Sequence, residues 1–502
     1  MPITEPPTGR FARPTPATAL LVAACLFFAC HAAIYWDWVE DDAYISLRYA
    51  TNLATGEGLV FNPGERVEAY SNLPWVLLES GAIRVGLDGL HVARVAGILA
   101  GLGCLLVSWR LARVLNPGAG AVAAALAPWF LAINPILPRH AVSGLETDGH
   151  AFLLGAGVLL AVSPGSRRRD TALAILLVVL SCSRPEGPAF AACLAAWAWW
   201  RRPVPRRIWL PALAVLVAVG TWRFRYYGSL LPNTFHFKMT GGTAALVPGI
   251  HYAVDFLREN GGAVLVGLGL LPLLKPAMSS RTWGLAFLIA LQAAIAVTAG
   301  GDWMAHYRFF GPVLPLAAAM LAAGLATAGE LAAPARRPRL AAIVAAACLG
   351  AMAVNIAKVE RQVWRLYMPA VRSDGYLSQA YARVGTSLKE STPPGTMVAA
   401  SDIGAIGLYS GHRIVDMFGL VDPHIARLPG GLHAKHDAAY VLRRDPDVVI
   451  LVEGSDATCQ PVYWRLPDRA LAEHPGFALR YRLDRTFPIA FQNETVQVFV
   501  RR

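Results

Sequence analysis

The chain has 502 residues, of which 55% are hydrophobic and only 16% are charged. This composition is too apolar for an ordinary soluble domain and indicates a protein that crosses a membrane several times. The formal net charge of +12 does not indicate a nucleic-acid partner, because the basic residues lie in short loops between apolar segments and form no basic face or tail.

The predicted elements begin with an amino-terminal tail, residues 1–16, and a first apolar segment, residues 17–36. A signal peptide would have a shorter apolar region followed by a small-residue cleavage site, so this segment predicts a retained membrane helix. Further apolar segments lie at residues 90–114, 118–137, 150–163, 171–182, 187–200, 208–222, 262–274, 282–299, 309–328 and 340–357. We therefore predict a multi-spanning α-helical membrane protein with about eleven transmembrane helices.

The same pattern sets the domain boundaries and the orientation. The transmembrane domain is predicted at residues 17–357, with a long outer loop at 37–89 (the first loop below), a linker at 358–375 and a tail domain at 376–502. Arginine and lysine collect in alternate loops, which indicates that those loops are cytoplasmic. Because the predicted number of spans is odd, the amino-terminal tail is predicted to be cytoplasmic and the tail domain to lie on the periplasmic face of a bacterial inner membrane.

The predicted tail domain has the composition of a soluble domain. It opens with the amphipathic pattern "YLSQAYARVGTSLKES" and continues with strand-like runs such as "TMVAAS", "RIVDMFG", "DVVILV" and "VQVFVRR", separated by turn residues. This alternation predicts an extracytoplasmic α/β domain.

The first loop contains the stretch "EDDAYISLRYATNLATG", in which Asp41 and Asp42 open an amphipathic helix that ends at Gly56. Carboxylates are favoured at helix starts, so the pair is explained by capping alone. A carboxylate beside a membrane is also suited to act as general base toward an acceptor hydroxyl. The two interpretations are compatible, since one Asp can cap while the other reacts.

Two short motifs lie in loops predicted on the same side as the first loop. In "SGLETDG", Glu146 and Asp148 either cap the next helix or have a partner or a function, because a carboxylate at a membrane edge is costly to bury. In "SRPEG", Arg184 and Glu186 flank a proline and form either an interhelical ion pair or, through Arg184, a phosphate contact.

Two further motifs lie on that side of the membrane. In "YYGSLLPNTFHFK", Asn233, His236 and Lys238 follow a proline, and the lysine is either a phosphate contact or an interfacial anchor. The second motif is "GGDWMAHYRFF". Its residues Asp302, His306 and Arg308 supply an acid, a candidate proton shuttle and a cation within one turn.

The sequence contains no HExxH, CxxC, EF-hand, Walker or convincing GxGxxG motif. An enzyme that works on the outer face has no supply of nucleotide sugars, so an activated donor there is expected to be lipid-borne. A polyprenyl-phosphate sugar meets this need, with its phosphate near the cations of the loops and its tail among the helices.

The motifs together resemble the GT-C class of membrane glycosyltransferases, and in particular the mycobacterial and corynebacterial terminal arabinofuranosyltransferase family. The likeness rests on the ordered set "DDAYISLRYATNLATGEGLVFNPGERVEAYSNLPW", "SGLETD", "RPEG", "YYGSLLPNTFHFK", "GGDWM…RFF" and "ASDIGAIGLYSGHRIVDMFGLVDP". It covers the membrane region and the start of the tail domain.

The resemblance implies a GT-C fold and a donor, decaprenyl-phosphoryl-arabinofuranose, whose D-arabinofuranose is added to a cell-envelope glycan. It implies that Asp41 and Asp42 match the acidic pair expected to hold the catalytic carboxylate. The candidate donor-phosphate residues are Arg184, Lys238, Arg308 and His306. The candidate cleft-lining or acceptor residues are Glu146, Asp148, Glu186, Asn233, His236, Asp302 and Trp303.

Several alternatives stay open at this point. A divalent cation, Mg²⁺, Mn²⁺ or Ca²⁺, held by oxygens of Asp42, Glu146 or Asp302, is an alternative to one of the cations. The acceptor is arabinan, lipopolysaccharide or a protein glycan, and the sugar is arabinose or another polyprenyl-phosphate sugar such as mannose. A transporter or flippase of lipid-linked sugars would also have many spans, although no internal repeat is apparent. A non-catalytic envelope assembly protein would leave the polar loops unexplained.

Overall fold

A computed structural model describes most of the chain. The described residues are 15–117, 121–201, 205–239, 242–275, 279–302, 304, 306–331, 376–430, 434–455, 461–489 and 494–502, with separate residues between 350 and 372. The predicted tail up to residue 14, much of the predicted span at 340–357, Trp303 and the side chain of Lys238 lie outside the described residues.

The first two thirds of the chain are helical in the described residues. Its helices are α1 (Pro16–Ile34), α2 (Asp41–Thr55), α3 (Leu73–Arg84), α4 (Gly89–Leu115), α5 (Ala121–Ala124), α6 (Leu126–Ile133), α7 (Ile136–Val142), α8 (Thr147–Val162), α9 (Arg167–Ser183) and α10 (Gly187–Arg201). They are followed by α11 (Arg206–Tyr227), α12 (Asn233–Met239), α13 (Leu246–Glu259), α14 (Gly262–Leu270), α15 (Ser279–Thr298) and α16 (Leu314–Leu331). Short 3-10 helices occupy Gly242–Ala245, Leu271–Leu274 and Arg308–Val313.

Five stretches of helix among the described residues are long and apolar enough to cross a membrane. They are Pro16–Ile34, Gly89–Leu115, Ile208–Tyr227, Ser280–Thr298 and Arg308–Glu330. The bent pair Gly242–Glu259 and Val264–Leu274 adds a sixth candidate. These helices indicate an integral membrane protein. The number eleven stays a prediction, because other predicted spans fall on shorter helices such as Thr147–Val162.

The predicted span at residues 118–137 is not one continuous helix in the described residues. Helices α5, α6 and α7 follow one another there, and Pro135 lies between α6 and α7. Proline cannot donate a backbone hydrogen bond and crowds the preceding turn, which explains a break at this position.

The first loop contains the predicted helix. Helix α2 starts at Asp41 and ends before Gly56, whose φ of 93° lies in the left-handed region that glycine adopts without strain. The sequence prediction for this helix is confirmed. Helix α3 follows in the same loop and packs against α2.

The tail domain is built on a mixed sheet. Its strands are β1 (Met397–Ala400), β2 (Arg413–Asp416), β3 (Val448–Ser455), β4 (Pro461–Val462), β5 (Tyr481–Ile489) and β6 (Glu494–Arg501). Their order is β2-β1-β3-β6-β5, with β4 beside the end of β3. Strand β1 is parallel to β2 and β3, whereas β6 is antiparallel to β3 and to β5.

Helices cover the sheet of the tail domain. They are α17 (Leu377–Ser391), α18 (Gly404–Ser410), α19 (Pro423–Ala426), α20 (Ala438–Arg443), α21 (Leu466–Ala472) and α22 (Pro475–Arg480). Strand β3 is buried on both faces, and its side chains alternate between two apolar clusters as the two-residue period of a strand requires. One cluster includes Tyr44 and Leu47 of α2, so the first loop shares a core with the sheet.

Close contacts at glycine hold the membrane helices together. A Cβ atom at Gly97 of α4 would lie 2.1 Å from the carbonyl oxygen of Ala141 in α7. Since a backbone oxygen cannot move as a flexible side chain does, the crossing of α4 and α7 requires glycine at this position.

We expect Gly97→Ala to lower the stability of the purified protein by roughly 1–3 kcal/mol, the usual cost of overpacking a tight interior. The matched control is Gly81→Ala on α3, where an added Cβ would meet no atom within 4 Å. Thermal unfolding in detergent, followed by tryptophan fluorescence, measures both. Equal melting temperatures for the two variants would contradict the assigned crossing.

Candidate active site

A cavity of about 860 Å³ lies where the membrane helices, the first loop and the tail domain meet. This volume is typical of a site for a small ligand. All five of the loops predicted on the outer side, and the 3-10 turn that follows the loop at Gly300, contribute to its wall. The charged lining residues are Asp41, Asp42, Glu146, Arg184, Glu186, Asp302, Arg308, Asp402, Arg465 and Glu494.

The two consecutive acids of α2 have different surroundings. The carboxylate of Asp41 is buried and accepts hydrogen bonds from the backbone N–H groups of Gly404 (2.9 Å) and Ala405 (2.8 Å), at the start of α18 in the tail domain. The side chain of Asp42 is 33% exposed, and its carboxylate lies 3.6 Å from a guanidinium nitrogen of Arg308. Asp42 is therefore the member of the pair that a ligand in the cavity can reach.

Burial raises the pKa of Asp41 to about 7, and the nearby Asp402 carboxylate adds to the rise. The two backbone N–H donors act in the opposite direction, because they stabilise the charged carboxylate. The pKa of Asp41 consequently lies close to neutral pH.

Each of the two arginines from the membrane part is held between carboxylates. Arg184 contacts Glu146 through Nη1 at 2.6 Å and Glu186 through Nε at 2.5 Å. Arg308 contacts Asp302 through Nε at 2.7 Å as well as the more distant Asp42. The pairs with Glu146, Glu186 and Asp302 are nearly inaccessible to solvent, so they fix both guanidinium groups in place at the cavity wall.

Carboxylates outnumber guanidinium groups in the described cavity wall. Seven acidic side chains face three arginines, and the arginines are already paired. An anionic ligand would therefore be held by directed N–H groups, since the sum of the nearby charges does not attract it. Within the described residues, Nη2 of Arg184 and Nη2 of Arg308 make no hydrogen bond, and both remain available as donors.

The structure brings seven of the sequence-predicted residues to the cavity, namely Asp41, Asp42, Glu146, Arg184, Glu186, Asp302 and Arg308. It does not bring four others there. Asp148 is buried inside the membrane part behind α4, where a Cβ at Gly101 would lie 2.8 Å from its carboxylate. His306 is buried and has a left-handed φ of 62°.

Asn233 and His236 line a second, much smaller cavity. The side-chain amide of Asn233 donates to the backbone carbonyls of Gly419 and Leu420, both at 2.9 Å. Asn233 thus attaches α12 to the tail domain, and it does not face the main cavity.

Each of the three acids named as alternative metal ligands lies beside an arginine. Glu146 is bonded to Arg184 and to the side-chain amide of Asn72. Asp302 is bonded to Arg308, and Asp42 lies near the same guanidinium group. The described part of the chain contains no group of three or more His, Cys, Asp or Glu side chains placed to hold a metal ion.

Sequence reasoning missed the part of the wall that comes from the tail domain. Asp402, Trp464, Arg465 and Glu494 line the cavity although they lie far along the chain from the membrane motifs. The only signal in the sequence was the "ASDIGAIG" run, which was noted for its resemblance and not for any role of Asp402.

Comparison with known proteins confirms the resemblance read from the motifs. The chain is 32% identical over 330 residues to the terminal beta-(1->2)-arabinofuranosyltransferase of Mycobacterium tuberculosis, a match that covers 56% of this chain and 52% of that protein. The chain spans about half the length of the curated relatives that it matches. A family model described as a domain of unknown function (DUF8728) matches residues 370–499.

Two solved structures share the fold at low sequence identity. The archaeal oligosaccharyltransferase AglB from Archaeoglobus fulgidus, in complex with an inhibitory peptide and a dolichol-phosphate, has a TM-score of 0.58 and 11% identity, covering 94% of this chain and 79% of that chain. ArnT from Cupriavidus metallidurans, bound to undecaprenyl phosphate, has a TM-score of 0.51 and 14% identity, covering 96% of this chain and 97% of that chain. The chain is thus similar in sequence to terminal arabinofuranosyltransferases and has the fold of the GT-C membrane glycosyltransferases.

Proposed function

We propose that the protein is a membrane glycosyltransferase that moves D-arabinofuranose from a polyprenyl-phosphate donor, decaprenyl-phosphoryl-arabinofuranose, to a cell-envelope glycan. The observation that carries the proposal is the partly exposed carboxylate of Asp42, which shares one cavity with the guanidinium groups of Arg184 and Arg308. A base for the acceptor and donors for a phosphate are therefore present in the same space.

The proposed location is the outer face of a bacterial inner membrane. The cavity is formed by loops that the arginine and lysine pattern predicts on one side, together with the tail domain. The bilayer-length helices anchor this assembly. The proposed orientation places the amino-terminal tail in the cytoplasm and the tail domain in the periplasm, with about eleven spans in total.

A lipid-borne donor suits the composition of the wall on the membrane side. Beyond the arginines, the cavity is lined by Ala189 of α10 and by Ile295 and Ala299 at the end of α15. A polyprenyl chain would lie along such side chains, because transfer of its methylene groups out of water is favourable. The solved structures of the same fold that hold dolichol-phosphate and undecaprenyl phosphate support this class of donor.

The proposed reaction uses Asp42 as the general base. One of its carboxylate oxygens takes the proton from an acceptor hydroxyl while the hydroxyl oxygen bonds to the anomeric carbon of the donor sugar. The bond between that carbon and the phosphate oxygen breaks, and its electron pair leaves with the lipid phosphate. The N–H groups of Arg184 and Arg308 stabilise the charge that collects on this phosphate.

Asp41 has a different proposed role, that of a positioning residue. Its carboxylate joins the start of α18 to α2, and a Cβ at Gly404 would lie only 2.0 Å from the backbone oxygen of Asp41. Asp41 therefore sets the distance between the tail domain and the neighbouring residue Asp42.

We expect Asp42→Asn to lower kcat by roughly 10²- to 10⁴-fold, the usual contribution of a general base. The matched variant Asp41→Asn is expected to keep much more activity, since Asn keeps one of the two oxygens that accept from the N–H groups of α18 and leaves Asp42 unchanged. The measurement is transfer of labelled sugar from synthetic polyprenyl-phosphoryl arabinofuranose to a short arabinan by the purified full chain.

Three outcomes of this assay would redirect the proposal. Full activity of Asp42→Asn would remove Asp42 from the chemistry and move the search for the base to Glu146 and Asp302. Wild-type transfer from polyprenyl-phosphoryl mannose but not from the arabinose donor would reject the proposed sugar. Absence of transfer from any polyprenyl-phosphate sugar would reject the proposed reaction.

The raised pKa of Asp41 predicts a pH dependence of the junction between α2 and α18. A carboxyl whose folded pKa is about 7 and whose ordinary value is 3.8 contributes stability that is fully present in acid and is lost as the pH rises toward 7. Asn carries no charge at any pH, so it does not titrate in this range. We expect the melting temperature of wild type, compared with that of Asp41→Asn, to fall between pH 5 and pH 8.

The comparison of the two proteins isolates Asp41 from other groups that titrate nearby. Burial also raises the pKa of Asp416 to about 7 and that of Asp468 to about 6, but both residues are present in the variant as well. A difference in melting temperature that is equal at pH 5 and at pH 8 would show that Asp41 keeps an ordinary pKa, and would contradict its burial against Asp402.

A further inference from the structure

Arg308 follows two residues whose backbone is strained. His306 has a φ of 62° and Tyr307 a φ of 49°, so both lie in the left-handed region. Residues with a side chain rarely adopt this region, and such strain persists only where the surrounding structure holds the backbone in place. Arg308 then begins the 3-10 helix Arg308–Val313. We call residues 306–309 the strained turn, and this turn needs anchors outside itself.

Phe309, the last residue of the strained turn, is anchored through both of its backbone polar groups. Its N–H donates to the hydroxyl of Tyr252 on α13 at 3.2 Å, and its carbonyl accepts from Nε2 of Gln292 on α15 at 2.6 Å. In a 3-10 helix this carbonyl would accept from the N–H of the third residue along the chain, which is Pro312. Because proline has no N–H, the side chain of Gln292 supplies the missing donor.

Aromatic rings pack the strained turn against α13. The ring of Phe310, which follows the turn, is stacked on those of Tyr252 and Phe256, with centroids 5.7 Å and 4.0 Å away. The ring of Tyr307 contacts the same two rings, at 5.2 Å and 5.6 Å. Aromatic pairs near these separations attract one another in addition to the effect of burying their surface. The turn is therefore held by ring packing as well as by two hydrogen bonds.

The side chain of Phe309 connects this turn to both arginines that the membrane part contributes to the cavity wall. The Cζ atom of Arg308 is 5.7 Å from the centroid of the Phe309 ring, and that of Arg184 is 6.0 Å from it. These distances lie within the range of cation–π attraction. The two arginines are far apart in the sequence, so a shift of Phe309 would disturb a contact that both guanidinium groups share.

Gln292 and Tyr252 differ in their relation to the cavity. Gln292 is fully buried and lines the cavity, and its Oε1 has no hydrogen-bond partner among the described residues. Tyr252 is not among the lining residues. Loss of activity in a variant of Gln292 could therefore reflect a lost contact with a ligand, whereas loss of activity in a variant of Tyr252 could not.

We propose that Gln292 and Tyr252 are positioning residues for the two arginines. They hold the backbone of Phe309 against the strain of the preceding residues, and so keep its ring beside Arg184 and Arg308 and both guanidinium groups directed at a lipid phosphate. This proposal rests on the proposed function, in which the two groups stabilise the charge that collects on the departing phosphate.

The first test is Tyr252→Phe, which removes the acceptor of the Phe309 N–H but keeps the ring. Loss of an interaction that acts in the transition state lowers kcat and kcat/KM by similar factors. We expect both to fall roughly two- to tenfold, as for the loss of one hydrogen bond. The measurement is transfer by the purified full chain in lipid nanodiscs. Phe287→Leu, at an exposed position of α15 outside the cavity wall, is the control and should keep wild-type kinetics.

The second test uses the N–H that Pro312 lacks. Gln292→Leu removes the donor to the carbonyl of Phe309, and we expect it to lower kcat roughly tenfold. Pro312→Ala returns an N–H at the position from which a 3-10 helix would donate to that carbonyl. The effect of Gln292→Leu should therefore be smaller in the Pro312→Ala background than in the wild type. A lost contact between Gln292 and a ligand would give an equal effect in both backgrounds.

Binding of undecaprenyl phosphate to the same proteins, measured by calorimetry, separates this proposal from the proposed function. A wild type that binds this lipid but transfers no sugar would reject the proposed function, and weaker binding by Gln292→Leu and Tyr252→Phe would then still support positioning. The positioning proposal is overturned if both variants match the wild type in transfer and in binding, or if Gln292→Leu has an equal effect in both backgrounds. It is also overturned if the wild type does not bind the lipid phosphate.

Discussion

The cavity exists because the first loop is joined to the tail domain by buried polar contacts that leave little freedom of placement. Arg48 of α2 donates to the backbone carbonyls of Phe61 (2.7 Å), Gly407 and His412 (2.5 Å), and so links the loop to the middle of α18 and to the segment that follows its end. Asp41 accepts from the start of the same helix. Hydrogen bonds to charged groups contribute about 1.5–3 kcal/mol each, and loss of one partner leaves a buried charge unpaired. The apolar cluster shared by α2 and the sheet holds the two together, while these directed bonds select one relative orientation.

This junction explains how two adjacent carboxylates come to have unlike environments. Successive residues of an α-helix point about 100° apart, so a helix that fixes Asp41 against the tail domain must turn Asp42 toward a different neighbour. That neighbour is Arg308, which is itself oriented by Asp302. The position of Asp42 is therefore determined from two sides, by the tail domain through Asp41 and by the membrane part through Arg308. A reactive group held in this way loses little freedom when a ligand arrives.

The sequence pattern predicts those elements whose structure depends on residues that are close together in the chain. The helix from Asp41 to Gly56 follows from its acidic start and its glycine end, and the sheet of the tail domain follows from alternating apolar runs. The sequence could not show that Asn233 turns toward the tail domain or that Asp148 lies buried behind α4, because both depend on packing between distant segments. For the same reason no local signal marked Trp464 or Arg465, which reach the cavity only through the order of the strands.

The excess of acidic residues in the cavity suits the difference in charge between the lipid donor and the lipid phosphate that leaves in the proposed reaction. The donor is a phosphodiester with one negative charge, whereas the lipid phosphate that leaves is a monoester with a charge of about −1.5 to −2 near neutral pH. The guanidinium groups of Arg184 and Arg308 are already oriented by their carboxylate partners, so they meet the developing charge without rearranging. Once the bond is broken, the same carboxylates repel the more highly charged product more strongly than they repelled the donor. The ion pairs would then act in both transfer and product release. They hold the guanidinium N–H groups in place during transfer, and their carboxylates favour departure of the lipid phosphate afterwards.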